Sequence, residues 1–411
     1  MIMREPIQVL MEKAKCVGWP KCVEDIYEKT MALYDAQGCF LTDPEYYADL
    51  ARQYNILGKE LSTFQRAAIA VGQNEAYSRY LLLIHTFLTE IPFTKAELKE
   101  FRILPTADAS DFALDMLPGL ALYGQFHQCY ENLKKRNLPA DMIHALLSGP
   151  ERTVESFRKL HNGAEGFHLF KWYQRLIRGD IYDIGCLQVE LRVPFTEQAC
   201  LFRSKEGQYL ALARECKIHP SGRMLGCRGF EESEQAWEPA ITETDDAWEG
   251  YAYNTLGFVE NKKLRLEKTQ WEIAVAPADP CISLHIPSRA RLDNEAVTES
   301  LAQIKEFLRF YFPDYPYKAI FCSSWILNPA LTDMLPRESN LSRFCRRFLP
   351  MTQVAAGNDV FHFVFRLADP PADLAVLEER TSLQQKLKKY YTDGNILHEM
   401  CGCMINDGQI D

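Results

Sequence analysis

The chain has 411 residues with a net charge of −10 and 47% apolar residues, so it is long enough for two domains with sizeable cores. This composition is ordinary for a soluble globular protein and argues against disorder and against a membrane protein. Nucleic-acid binding needs a basic surface, and the acidic balance therefore favours small molecules or proteins as partners. The amino-terminal segment lacks the continuous apolar core of a signal peptide, and we expect a cytoplasmic location.

The thirteen cysteines are scattered through the chain without a Cys-x-x-Cys pair. This pattern indicates neither a disulfide framework nor a zinc site of the usual spacing. One local pair, Cys401 and Cys403, could be redox-active or could bind a metal together with His398, although cysteines in a tail are more often incidental. We predict no metal site, and a thiol-dependent activity fits the sequence least well.

The first part of the chain has the pattern of successive helices. Apolar residues recur at three- and four-residue spacing, and prolines mark the breaks between the segments. No period repeats cleanly, which argues against a regular solenoid. We predict an all-helical domain over residues 1–178, with helices at 8–14, 23–34, 46–54, 75–89, 95–101 and 140–147.

The pattern becomes strand-like from Gly179 onward. Residues 181–193 alternate between apolar and polar, and residues 201–213 place a Lys205-Glu206-Gly207 turn between two extended arms, as a hairpin does. Further extended segments are predicted at residues 251–256, 271–275 and 360–367. We expect residues 179–411 to form an α/β domain with antiparallel strands first and a parallel pair later.

The parallel pair is predicted from the stretch Pro280–Trp325, which has the pattern of strand, loop, long helix and strand. Asp293 or Asn294 can cap the helix. A strand, a crossover helix and a second strand imply parallel strands with a right-handed connection. Ligands of such sheets lie at the carboxyl ends of the strands, so residues 285–291 and 323–325 are the candidate site.

A family resemblance rests on five segments: Ile184-Gly185 with Leu187-Gln188, Tyr253–Val259, Ile282–Pro287, Ser323–Leu327, and Ser339-Asn340-Leu341 with Arg343-Phe344. With these segments and this order of elements, the chain resembles GNAT-type N-acyltransferases. More closely, it resembles bacterial acyltransferase-domain proteins in which a helical amino-terminal domain precedes a GNAT-like carboxyl-terminal domain. The resemblance spans nearly the whole chain. It implies an α+β fold, with an all-α domain before a GNAT-like mixed α/β domain, and acetyl-CoA or another acyl-CoA as substrate.

The loop SRARLDNEA departs from the GNAT pattern because it contains no glycine. A typical GNAT protein uses a glycine-containing loop there, so that backbone amides and a helix amino terminus hold the pyrophosphate of coenzyme A. Arg289 and Arg291 compensate, since two guanidinium groups can bind the anion through paired hydrogen bonds. Asp293 and Glu295 compete with a bound phosphate for the same helix end. A capped helix with two solvated arginines is the alternative interpretation.

Acyl transfer to an amine needs a base, donors that face the developing oxyanion, and an acid for the departing thiolate. His285 is the candidate base, and a buried histidine bonded to backbone is the alternative. Backbone amides near Ile286 are the candidate oxyanion donors. Ser323 or Ser324 is predicted to position the substrate or to protonate the thiolate, although paired serines often satisfy neighbouring backbone instead.

Two functional hypotheses follow. The first is an acyl-CoA-dependent N-acyltransferase that acts on a small-molecule or peptide amine, with Trp325 and Asn340 as walls of the coenzyme pocket. In the structural alternative, Trp325 belongs to the core and Asn340 caps a helix. The second hypothesis is a non-catalytic GNAT-like module that binds a ligand or a protein, and the glycine-free loop favours it.

Overall fold

The computed structural model describes residues 5–91, 111–287, 290–367 and 369–405. The chain divides into two compact units, Met1–Asp180 and Ile181–Asp411. The first unit is helical and the second is rich in sheet, which confirms the predicted α+β class. Among the described residues, no helix combines the length and the apolar character that a bilayer crossing requires.

Helices account for most of the first unit. Their bounds are Ile7–Lys13, Cys22–Gln37, Pro44–Tyr54, Leu61–Gly72, Glu75–Glu90, Phe112–Tyr123, Phe126–Lys135, Ala140–Ser148, Arg152–Leu160 and Phe170–Ile177. The predicted helix at 95–101 lies outside the described residues. Of the helices that the pattern does not predict, Phe112–Tyr123 is the clearest case, because it is buried on almost every side and has no polar face to reveal a helical period.

Capping explains where two of the predicted helices begin. Asp43 accepts a hydrogen bond from the amide of Glu45, and Pro44 takes the first helical position, where its missing amide hydrogen costs nothing. Asn74 accepts from the amides of Ala76 and Tyr77 at the start of the Glu75–Glu90 helix. Local chemistry alone therefore fixes these two boundaries.

Over its described residues, the second unit contains two six-stranded sheets. The strands are β1 (Ile181–Ile184), β2 (Leu187–Pro194), β3 (Ala199–Ser204), β4 (Tyr209–Ala213), β5 (Thr242–Glu243), β6 (Ala247–Tyr253), β7 (Val259–Glu267), β8 (Trp271–Val275), β9 (Pro280–His285), β10 (Ala319–Ser324), β11 (Leu349–Thr352) and β12 (Met400–Ile405). The first sheet has the order β1-β2-β9-β10-β12-β11, and the second has the order β5-β6-β4-β3-β8 with β7 beside β6. The unit also has helices at Asn294–Tyr311, Ala330–Met334, Asn340–Cys345 and Ser382–Thr392.

The predicted parallel pair is confirmed. β9 and β10 run parallel with Ile320 opposite Ile282, and the remaining neighbours in the first sheet are antiparallel. The helix between them, Asn294–Tyr311, is capped as expected, because the side chain of Asp293 accepts from the amide of Ala296. The carboxyl ends of β9 and β10 therefore lie side by side, in the middle of the first sheet.

The predicted strand at 360–367 is wrong. Phe361–Phe365 forms a short π-helical segment, whose two terminal phenylalanines are both buried. Phe361 packs against the ring of Tyr391 with 4.8 Å between centroids. The sequence FHFVF is compatible with either structure, and packing on the Ser382–Thr392 helix selects the helical one. The strand that completes the sheet is β12 instead.

The two sheets pack face to face over a shared apolar core. Its buried members come from both sheets and include Leu201, Ala211 and Val275 on one side and Cys281, Ala319, Met351 and Cys403 on the other. The opposite face of the first sheet carries the Asn294–Tyr311 helix, whose Phe307 ring lies 5.0 Å from the ring of Tyr182 in β1. Each residue of β9 or β10 therefore faces either the helix or the second sheet, in alternation.

The tight turn between β1 and β2 is anchored to this helix. Gly185 has φ 59°, a left-handed conformation that favours glycine. The Ser300 hydroxyl accepts from the amide of Cys186 over 2.9 Å and donates to the carbonyl of Ala296 over 2.7 Å. A Cβ atom at Gly185 would come within 2.2 Å of the Ser300 hydroxyl oxygen.

We predict that Gly185→Ala lowers the free energy of unfolding by about 2–3 kcal/mol, because it combines backbone strain with an overpacked contact. Gly207→Ala is the matched control, since Gly207 also has a left-handed φ, of 84°, but a Cβ atom added there would have no neighbour within 4 Å. The control should lose only the strain term, about 1 kcal/mol. Urea denaturation of both variants measures the difference, and equal losses would contradict the anchoring role of Ser300.

Candidate active site

A buried carboxylate and an imidazole pair at the carboxyl end of β9. The Nε2 atom of His285 is 3.0 Å from the Oε2 atom of Glu190, and their side chains are 22% and 3% exposed. Glu190 comes from the neighbouring strand β2, where it is opposite Ser283. An ionised carboxylate can only accept, so Nε2 is the donor in this contact, and in the neutral ring the lone pair is then on Nδ1. This is the arrangement that orients a histidine to accept a proton.

A register shift in β2 accompanies this pair. The antiparallel register between β2 and β9 is regular from Gln188 to Glu190, and it shifts between Glu190 and Val193. Arg192, within the shifted segment, has φ 57°. Bulges of this kind bend a strand and redirect its side chains, and they are common beside active sites.

Ser323 shares a sheet face with His285. Ser283 is opposite Phe321 in the parallel pair, and side chains two residues apart lie on the same face, so the next pair along this face is His285 and Ser323. Ser323 is exposed, and Nε2 of Gln353 donates to its hydroxyl oxygen over 2.6 Å. Because that oxygen accepts from Gln353, the hydroxyl proton can be directed elsewhere.

Ser324 has a different role from Ser323. It points to the opposite face of the sheet, and its hydroxyl oxygen accepts from the amide of Ile326 over 3.2 Å. That bond caps the 3₁₀ turn Trp325–Leu327. The structure therefore brings Ser323, but not Ser324, to the face that holds His285.

The remaining predicted site residues are dispersed. Ile286 is half-buried and follows directly after β9, whereas Trp325 is only 6% exposed. Asn340 is exposed and begins the Asn340–Cys345 helix, but Ser339 provides the cap by accepting from the amide of Ser342. The role of Trp325 and Asn340 as walls of a coenzyme pocket stays a prediction.

Of the two arginines in the loop, Arg289 lies outside the described residues. Arg291 has an 87% exposed side chain whose Nε atom is 3.3 Å from Oδ2 of Asp293, the residue that caps the helix. This exposed pair contributes little to stability, so exchange of the Asp293 contact for a phosphate contact would cost little.

A further arginine, which the sequence pattern does not indicate, lies at the same helix end. Nη2 of Arg347 donates to Oδ1 of Asn294 over 2.5 Å and to Oγ1 of Thr298 over 2.8 Å. Burial lowers the pKa of the Arg347 guanidinium. Neither acceptor is charged, and within the described ranges no carboxylate lies within ion-pair distance of Arg347. A half-buried cation at the positive end of a helix dipole favours an anion.

A cavity of about 140 Å³ opens beside Ser323, between the two sheets. Its rim includes Ser323 and Gln353, and its inner wall includes the buried side chains of Phe195, Ala199 and Met351. Cys401 also lines it. The cavity therefore adjoins the face of β10 that carries Phe321 and Ser323.

The surroundings of the cysteine pair favour neutral thiols. Burial raises the pKa of Cys401 to about 12 and that of Cys403 well above its usual range. Both are free thiols in β12, and His398 donates from Nε2 to the carbonyl of Arg228 over 2.8 Å. Over the part of the chain that the structure describes, no group of three or more His, Cys, Asp or Glu side chains could hold a metal ion. A thiolate nucleophile is therefore disfavoured here.

Solved structures with the same fold are acyltransferases. One is an acyltransferase in complex with decanoyl-CoA and teicoplanin, at 17% identity and a TM-score of 0.61, with 98% of this chain and 99% of that chain covered. Another is an acyltransferase in complex with decanoyl-CoA, at 15% identity and a TM-score of 0.61, with the same coverage. A third is an acyltransferase mutant in complex with octanoyl-CoA, at 17% identity and a TM-score of 0.58, with 97% and 94% covered. At these identities the likeness shows the fold.

No curated protein sequence matches the chain. A family match, by contrast, covers more than half of it. The GNAT-like C-terminal domain family matches residues 181–404, which include both sheets, the crossover helix, the Glu190–His285 pair and Arg347. The chain therefore belongs to the GNAT-like C-terminal domain family.

Proposed function

We propose that this protein is an acyl-CoA-dependent N-acyltransferase. The observation that carries the proposal is the Glu190–His285 pair, with 3.0 Å between Oε2 and Nε2, at the carboxyl end of the parallel pair. The family membership and the acyl-CoA complexes of the fold neighbours support it. The acceptor is an amine on a small molecule or a peptide.

In the proposed reaction His285 acts as general base. The acceptor nitrogen attacks the thioester carbonyl carbon, so that the C–N bond forms and the C–S bond breaks. The proton leaves the nitrogen for Nδ1 of His285, and the electron pair of the C–S bond goes to sulfur. Glu190 holds the imidazole in the required tautomer and stabilises the imidazolium that forms, as a carboxylate does in hydrolase triads.

Ser323 is the proposed acid for the departing thiolate. Its hydroxyl oxygen already accepts from Gln353, so its proton can be directed toward sulfur. As this proton passes to the thiolate, the hydroxyl regains the proton that His285 took from the acceptor, relayed through solvent, so that both side chains return to their starting state. Ser323 lies on the same sheet face as His285, on the adjacent strand. The backbone amides near Ile286 remain the proposed donors to the oxyanion, since they lie where β9 ends.

The phosphates of coenzyme A are proposed to bind at the start of the Asn294–Tyr311 helix. The helix dipole and the Arg347 guanidinium both place positive charge there, and Arg291 adds an exposed charge that can turn toward an anion. Arg289 belongs to the same proposal from sequence alone. These cations supply what the glycine-free loop lacks.

The acceptor is less closely defined than the donor. One fold neighbour is in complex with teicoplanin as well as decanoyl-CoA, which supports an acceptor of small-molecule size. Only a neutral amine nitrogen can attack the thioester. If the acceptor binds as an ammonium ion, an adjacent base must therefore first remove a proton from it.

A non-catalytic binding module is the second candidate, and one observation favours it. The Asp293 carboxylate accepts from the amide of Ala296 over 3.0 Å and so occupies the helix end with negative charge. A phosphate would have to displace this carboxylate or bind beside it. Turnover distinguishes the two candidates, because a binding module would bind acyl-CoA without releasing coenzyme A.

His285→Gln should reduce kcat for coenzyme A release on the order of a hundredfold or more, because the general base is lost. Glu190→Gln should reduce it by about tenfold or more through loss of orientation and charge, with little change in KM for acyl-CoA. Coenzyme A release from acetyl-CoA, measured chromatographically with a panel of primary amines and peptides, gives both rates.

His219→Gln is the matched control for this pair of variants. His219 is also partly buried in the second unit, but its Nδ1 atom is bonded to the Ser221 hydroxyl at 2.9 Å within a turn. It should retain the parent rate. If His285→Gln lowers the melting temperature and the rate falls only with the folded fraction, His285 is structural and the catalytic assignment is wrong.

Arg347→Ala should weaken coenzyme A binding by about tenfold or more, since a charge-assisted contact to phosphate is lost. It should leave the binding of the pantetheine fragment, which has no phosphate, nearly unchanged. Arg309→Ala serves as control, because Arg309 lies in the last turn of the same helix with a 77% exposed side chain. Calorimetric titration measures all four affinities, and equal losses for coenzyme A and pantetheine would place the phosphates elsewhere.

A further inference from the structure

The cavity beside Ser323 is lined by apolar side chains and by uncharged polar ones, among them Thr196, Gln198, Thr352 and Gln353. Its inner wall is formed by side chains that are almost fully buried, with Phe195 at 2%, Ala199 at 0% and Met351 at 1% exposure. Among the described residues that line it, none is charged. An ammonium group that entered such a pocket would lose its hydration without gaining an anionic partner. An aliphatic chain would be stabilised there, because its apolar surface is removed from water.

The cavity lies next to the place where the thioester is proposed to bind. Ser323 lies at its rim, on the face of the first sheet that carries His285. Phe321, two residues earlier in β10, lines the cavity below Ser323 on the same face. A thioester sulfur held near the Ser323 hydroxyl therefore has an apolar pocket within reach of its acyl group.

The volume of the cavity limits what it can hold. At about 140 Å³ it is close to apolar cavities of roughly 150 Å³ that bind benzene, a molecule of six carbons. A chain of eight or ten carbons would need space that the buried wall does not offer, because a close-packed interior resists expansion.

We infer that this cavity receives the acyl chain of the donor and restricts it to about six carbons, with Phe321 and Ala199 setting the length. The inference rests on the proposed function, since it specifies the acyl-CoA that the proposed transferase would use. Cys401 also lines the cavity, and burial raises the pKa of its thiol to about 12, which favours the neutral form.

The test is a binding series with free CoA and with acetyl-, butanoyl-, hexanoyl-, octanoyl- and decanoyl-CoA on the full chain. For the parent protein, affinity should rise by about fourfold for each methylene buried and then level off or fall beyond about six carbons. Ala199→Leu fills the pocket and should move the optimum toward acetyl-CoA. Phe321→Ala enlarges it and should let octanoyl- and decanoyl-CoA bind at least as tightly as hexanoyl-CoA.

Free CoA is the internal control, because its affinity should be the same for the parent and for both variants if they are folded. An affinity that keeps rising to decanoyl-CoA in the parent would overturn the inference, as would a length profile that neither variant changes. In both cases CoA still binds, and the proposed transferase function survives. If none of the probes binds, the proposed function fails and the inference fails with it.

Discussion

The pairing of a buried carboxylate with an imidazole is the interaction on which the proposed chemistry of the second unit depends. Glu190 is 2% exposed, and a carboxylate removed from water must be neutralised or hydrogen-bonded. His285 provides such a contact from the adjacent strand, and an ionised Glu190 makes Nε2 the donating nitrogen of the ring. The burial of Glu190 thus favours the tautomer that the proposed general base would need, and replacing either partner leaves the other with less compensation for its burial.

Charge is distributed unevenly around the start of the crossover helix. Asp293 satisfies an amide of the first turn, which is a structural requirement, while Arg347 approaches the same turn from a later part of the chain. The carboxylate and the guanidinium have opposite preferences for a phosphate. Because the acceptors that Arg347 contacts among the described residues are uncharged, its charge remains available to a ligand, and the helix end can be both capped and anion-binding.

Local signals allowed part of this structure to be predicted. Alternation in β9, the capping residue Asp293 and the helical period of the following segment were enough for the parallel pair and for the place of His285. Glu190 could not be identified in this way, because its position in an alternating strand is the one normally exposed to solvent, and only the neighbouring strand shows that it is buried.

Other features depend on contacts between distant parts of the chain. Arg347 reaches Asn294 across 53 residues, and no local pattern encodes that distance. The segment FHFVF can alternate as a strand or turn as a helix, and its packing partner decides. Ser323 and Ser324 are adjacent and chemically identical, yet the pleat sends them to opposite faces, so a single sequence position separates a candidate acid from a capping residue.

The position of β12 has a consequence for how the molecule is assembled. It is the latest of the described strands in chain order, but it lies inside the sheet, between β10 and β11. Cys401 of this strand lines the cavity beside Ser323, so the cavity is complete only after β12 has inserted. The β1–β2 and β3–β4 hairpins join neighbouring segments and can form early. The insertion of β12 beside β10 joins segments about 80 residues apart, and it is slower because closing a long loop costs more chain entropy. A nascent or truncated chain that lacks β12 would leave one edge of β10 and one edge of β11 unpaired, and unpaired strand edges promote aggregation.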